Sequence, residues 1–183
     1  MEAQQSGVRY TYADYRTWDD SQRWELIDGV PYAMSPPLTA HQRVSRELFR
    51  QIADFLDDKP CEVFAAPFGV RLNADAEDDT VVEPDLVVIC DKSKIDENGC
   101  NGAPDLIIEI LSPSTASYDK VIKYAKYLAA GVKEYWIIDP RDKTVTVHHL
   151  HANTNASNYG AAGEASVGVL PGCVVDLEKV FRE

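Results

Sequence analysis

No stretch of this 183-residue chain approaches the ~18 consecutive apolar residues of a membrane-spanning helix, so no span is expected. The polar start, Met1 to Arg9, lacks an apolar core and a small-residue cleavage pattern, so no secretory leader is expected either. Cysteine is sparse. Cys61, Cys90, Cys100 and Cys173 form no C-x-x-C pair and no cluster with histidine at zinc spacing. Cys61 and Cys90 fall in apolar runs and are expected to be reduced core residues of a cytoplasmic protein, not a disulfide. A Walker-type loop, a G-x-G-x-x-G turn and a G-x-S-x-G elbow are all missing, which sets aside P-loop, dinucleotide-binding and serine-hydrolase chemistry. Positive charge is also short: 18 Lys and Arg stand against 30 Asp and Glu, a net charge of −12. Nucleic-acid affinity comes mainly from Lys and Arg, so this balance argues against tight DNA binding. It does not exclude metal-dependent cleavage, whose site itself needs carboxylates. No basic aromatic stretch suggests a single-strand surface. Lys120, Lys123, Lys126 and Lys133 are expected to form a modest local patch.

What is present suits a globular α/β protein of one domain over 1–183, with 1–9 as a loose arm. Hydrophobic residues make up 45% and charged residues 26%, enough for a real core. Thr11 to Arg23 reads as a short helix with Tyr12, Tyr15 and Trp18 on a core-facing stripe. Glu25 to Val30 reads as a strand entering a tight turn at Asp28-Gly29, and Val30 to Met34 as its return. Thr39 followed by Gln42 suggests a capping box, heading a helix with Val44, Leu48, Ile52, Phe55 and Leu56 on one face and ending near Pro60. Glu62 to Leu72 and Val81 to Cys90 read as strands around the acidic loop at Asp75 to Asp79. Ala103 to Leu111 is apolar on both faces except at Glu109, as in a central, doubly covered strand. Ser117 is a candidate cap for a helix to Ala130, stopped by Gly131. Lys133 to Asp139 and Thr144 to His149 are further strands. Residues 151–164 read as a loop or loose hairpin, and Val174 to Phe181 as a short apolar element. Strands, a crossover helix and more strands make a mixed central sheet flanked by helices.

Glu109 is the anomaly. A carboxylate inside Ile-Ile-Glu-Ile-Leu is costly to bury unless it is paired or bound to a metal. Either a lysine of the next helix neutralises it, or it serves a function. Asp85, opening the Leu86-Val87-Val88 run after Pro84, supplies a second carboxylate, although alone it also fits a turn. On adjacent strands the two could grip one hard cation such as Mg²⁺. Asp105 shares a strand face with Glu109, but four residues at ~3.3 Å each put it ~13 Å away, too far for one ion. Glu25, in an otherwise apolar strand, could line the site as a third acid, or be an ordinary exposed or ion-paired residue. His41, in the first helical turn, could face substrate or lie on the surface. Tyr127 reads as core. His148, His149 and His151 have no acidic partner in sequence and read as surface residues.

Pro84-Asp85, then Glu109 through Thr115, then Asp119, Lys123, Tyr127 and Gly131 through Pro140, resembles the Uma-type family of restriction-endonuclease-like proteins, long classed as a domain of unknown function within the PD-(D/E)XK nuclease superfamily. Trp24 to Gly29, the Met34 to Pro37 turn and His41 are similar to its N-terminal half. The resemblance implies a restriction-endonuclease-like fold, a bacterial source and metal-dependent hydrolysis of DNA phosphodiesters, with Mg²⁺ or else Mn²⁺. Asp85 and Glu109 would hold the metal with the main-chain carbonyl of Ile110; Glu25 and His41 would assist. The superfamily lysine should follow the glutamate by two, where this chain has Leu111. The resemblance moves that role to Lys123 on the next helix. A helical wheel instead places the apolar stripe at Val121, Tyr124, Ala125 and Leu128, with Lys120 nearer to it than Lys123; the alternative is that Lys123 is solvated. One site per chain implies a homodimer for cutting both strands. The rival expectation is a nuclease fold retained as a binding module with weak or no catalysis, favoured by the acidic charge and the missing strand lysine.

Overall fold

A computed structural model describes residues 7–18, 22–74, 78–112, 119–151 and 156–182, without the side chains of 119 and 120. The expected arm before residue 7, the tip of the acidic loop, the Ser117 cap and the Lys120 alternative lie outside the described residues.

The N-terminal helix is shorter than the aromatic spacing predicts. It spans only Tyr12–Tyr15 (α1), closed by a reciprocal Thr11–Asp14 capping box. Trp24–Ile27 (β1) and Val30–Ala33 (β2) form the expected hairpin. Asp28 and Gly29 both adopt positive φ, 51° and 70°, the mirror-image turn that matches strand twist. Thr39–Leu56 (α2) buries Val44, Leu48, Ile52 and Leu56, but its cap is Leu38, with no side-chain bond. Thr39 is already helical, so the capping box read there does not form.

Each of the two long strands predicted around the acidic loop is split in two. Glu62–Ala65 (β3) is separated from Val70–Arg71 (β4) by the bend at Pro67, and Val81–Val82 (β5) from Leu86–Ile89 (β6) by Pro84, which has no N–H for a ladder. The halves belong to different sheets. Ile95–Asp96 (β7), Gly99–Asn101 (β8) and Leu106–Ile110 (β9) follow. A π-helical turn at Asp119–Lys123 leads into Tyr124–Ala130 (α3), stopped by Gly131 at φ 89°. Glu134–Asp139 (β10), Thr144–His149 (β11), Ser157–Tyr159 (β12), Glu164–Ser166 (β13), Val174–Asp176 (β14) and Leu177–Val180 (α4) complete the chain.

The main sheet runs β12-β11-β10-β9-β6-β3, and the second β2-β1-β5-β4-β8-β7. In the main sheet only β9 and β10 are parallel, joined by the crossover that contains α3. One face of this sheet packs Leu86, Val88, Ile108 and Trp136 against Val44, Leu48 and Ile52 of α2. The other packs Val87, Ile89, Ile107 and Tyr135 against Tyr127 of α3 and Ile27, Val70 and Val82 of the second sheet. Cover on both faces explains why β9 is apolar at every position except Glu109. The reading of Cys61 and Cys90 as reduced thiols is overturned: the two form a disulfide. Glu62 pairs with Ile89, so the cysteines just outside that pair face each other across the ends of β3 and β6. Strand register, invisible in sequence, brings them together.

Candidate active site

The site begins where β6 and β9 meet. The antiparallel register that sets Leu86 against Ile108 continues one step to set Asp85 against Glu109. Such opposite positions hold their Cβ atoms ~4.5–5.5 Å apart on one face. The Ile110 N–H donates to Asp85 Oδ2 at 2.7 Å. In a strand the carbonyl of a residue points to the same edge as its N–H, so the Ile110 carbonyl also faces this end of β6, where Pro84 has no N–H to offer it. From the first turn of α2, His41 Nε2 reaches the same Asp85 oxygen at 3.1 Å. Asp85 keeps a partial opening to solvent, whereas Glu109 is only 4% exposed.

Lys123 closes the buried side. Its ammonium donates to Glu109 Oε1 at 2.9 Å and to Glu25 Oε1 at 2.8 Å. The Tyr127 hydroxyl, one turn on, donates to the same Glu109 oxygen at 2.7 Å. Glu25 is fully buried in β1, and its Oε1 also accepts the Glu83 N–H. Glu25 Oε2 and His41 Nδ1 are buried with no hydrogen-bond partner. Burial, then the Glu109 charge, pushes Tyr127 well above the ordinary tyrosine range, so it remains a neutral donor.

Glu25, His41, Asp85, Glu109 and Lys123 therefore converge, although 98 residues separate Glu25 from Lys123. The two readings of Glu109 meet in one contact: the lysine of the next helix that neutralises it is Lys123. The helical-wheel stripe is overturned. Val121 and Leu128 are 67% and 47% exposed, while Lys123 and Tyr127 are buried. Tyr127 is core as expected, yet also part of the site; its position four residues after Lys123, on the same helix face, was the available signal. Asp105 instead receives the Cys90 N–H and the Lys133 ammonium. Of the lysines read as a patch, the three with described side chains are engaged elsewhere: Lys123 is buried, Lys126 pairs with Asp28 and Lys133 with Asp105. His149, read as lacking an acid, lies 3.8 Å from Glu134 across the strand pair, and His148 stacks on Tyr135.

Among the described residues, no three His, Cys, Asp or Glu side chains gather into a metal cage. Two carboxylates and a carbonyl are instead the sparse, hard oxygen set by which Mg²⁺ is commonly held, its remaining positions going to water and substrate phosphate. The buried, unpartnered Glu25 Oε2 adds unspent acceptor capacity at the same place. The donor set fits such an ion.

A family model named Uma2 and described as "putative restriction endonuclease" matches residues 12–178. An uncharacterized Synechocystis sp. protein, slr1290, is 27% identical over 139 residues, covering 74% of this chain and 72% of its own. A second from the same organism, sll1609, is 28% identical over 134 residues, covering 70% and 74%. The crystal structure of a putative nuclease belonging to DUF820 from Anabaena variabilis is 20% identical with a TM-score of 0.77, covering 94% of this chain and 97% of its own, and shares the fold. No helix among the described residues is long and apolar enough to cross a membrane.

Proposed function

Because the chain belongs to the Uma2 family, we propose that it is a metal-dependent endonuclease hydrolysing DNA phosphodiester bonds at Asp85 and Glu109. The observation that carries this reading is the seating of a lysine ammonium 2.9 Å from Glu109, supplied by Lys123 from the next helix in place of the absent strand lysine. Asp85, Glu109 and the Ile110 carbonyl would hold Mg²⁺ or Mn²⁺. Such an ion neutralises phosphate charge and makes bound water a nucleophile near neutral pH.

The chain's own residues do the rest. Lys123 places positive charge where negative charge develops on the phosphate oxygens. Glu25 holds that ammonium from the far side, and Tyr127 fixes the carboxylate it shares with Lys123. His41 and the Ile110 N–H both orient Asp85, locking its rotamer toward the strand end. A homodimer would supply one site for each DNA strand. A second reading rests on one observation: Lys123 is sealed between Glu25 and Glu109 at 2% exposure, as a purely structural ion pair would be. On that reading the fold binds and does not cut. Incubation with supercoiled and linear DNA in Mg²⁺, Mn²⁺ or EDTA separates the two. Nicking or linearisation that EDTA abolishes supports the nuclease; intact DNA under every condition supports the binding module.

A further inference from the structure

The net charge of −12 is not evenly spread. Arg43, Arg46 and Arg50 project from α2, and Lys179 and Arg182 from the C-terminal segment, into one groove of about 430 Å³. Among the described residues that line it, the one acid is Glu47, already engaged by Arg50 and Gln51. The spacing explains the convergence. At 100° per residue, positions 43, 46 and 50 fall within a ~60° arc on the side of α2 away from its buried stripe.

Three of these five cations are not consumed internally. Arg50 pairs with Glu47 and Asp54, and Lys179 with Asp176. The Arg43, Arg46 and Arg182 guanidiniums have no ion-pair partner among the described residues. Arginines that outnumber the acids lining their groove repel one another and lower the local stability of the fold. Such a cluster is rational as a polyanion site, and planar guanidiniums suit phosphate oxygens.

The groove is not the reaction cleft. His41 leaves α2 on its buried side toward Asp85, so the helix, ~10–12 Å across with side chains, stands between the two. We infer that the Arg43, Arg46, Arg50, Lys179 and Arg182 groove is a second docking surface for the phosphate backbone of a nucleic acid, flanking the segment held at the carboxylates. This rests on the nuclease reading for the identity of the polyanion. It also answers the objection raised by the net charge: the acidic chain presents a local cationic face, and binding is strongly salt-dependent.

The test is equilibrium binding of a fluorescent DNA duplex in EDTA, so that no cleavage occurs, over a series of salt concentrations. The wild-type chain is compared with an Arg43→Gln, Arg46→Gln, Arg182→Gln variant and with Lys92→Gln, Arg141→Gln, Lys143→Gln, an equal charge loss elsewhere. Circular dichroism checks that all three are folded. The groove variant should bind at least ~10-fold more weakly at low salt, with the log–log salt slope reduced by ~3, about one unit for each of the three lost phosphate contacts. The control variant should keep the wild-type slope. Binding by the wild type that the groove variant retains, or that both variants lose equally, overturns the groove while leaving the nuclease reading standing. No wild-type binding at any salt overturns the nucleic-acid reading, and the groove with it.

Discussion

At the residue scale, the buried charges set the behaviour. The Lys123 ammonium lies between Glu25 and Glu109, and all three are nearly or fully buried. Removing Lys123 leaves two buried carboxylates without that countercharge, and breaking a buried pair in this way costs ~3–5 kcal/mol. Lys123→Met is therefore expected to lower stability by about that amount in denaturant titration. Adding Glu25→Gln should restore part of it, a coupling of at least ~1 kcal/mol. Strict additivity would mean that the ion pair is not formed in solution. Tyr127 makes a second prediction. Its folded-state ionisation lies well above the ordinary value, first through burial and then through Glu109. Below the unfolded tyrosine value of ~10 its contribution is fully present. As pH rises further, the unfolded chain releases a proton that the folded chain retains, and stability falls. Tyr127→Phe should melt lower at neutral pH, by ~1.5–3 kcal/mol for a bond to a carboxylate, but lose less of its remaining stability above pH ~10 than the wild type.

At the element scale, the strongest periodic signals were legible and the interruptions were not. The α2 stripe, the Asp28-Gly29 hairpin and the doubly covered β9 follow from patterns one segment long. The crossover helix does not. Its π-helical turn at Asp119–Lys123 breaks the 3.6-residue period on which a helical wheel depends, so the buried face falls at Lys123 and Tyr127 while Val121 points outward. The candidate carboxylates could be named because each is odd in its own strand. Their arrangement could not, because it depends on β6–β9 register and on β1, in the other sheet, bringing Glu25 up to Lys123. Register likewise joins Cys61 to Cys90. The expected consequence is that denatured, unreduced protein shows two reactive thiols, those of Cys100 and Cys173; four would mean that the bridge is open. Replacing both bridge cysteines with serine should cost about 3.6 kcal/mol, the chain-entropy value for a loop closed across a separation of 29 residues.

At the scale of the whole molecule, the two sheets and α2 are a frame that delivers carboxylates from β1, from β9 and from Asp85 at the entrance to β6, and one lysine from the π-helical turn before α3, to one region. The acidic net charge and the cationic groove are compatible in such a frame, because the groove lies on the outer side of α2 while the acids converge beneath the sheet edge. Phosphodiester cleavage at this point of convergence depends on Asp85 and Glu109. The decisive measurement is the rate of plasmid cleavage at saturating Mn²⁺ for the wild type, Asp85→Asn and Glu109→Gln, each verified as folded. The wild type should cut, and both variants should lose ~10²-fold or more, the scale of removing a preorganised charge from an active site. Cleavage that both variants retain at the wild-type rate would move the reaction away from these carboxylates.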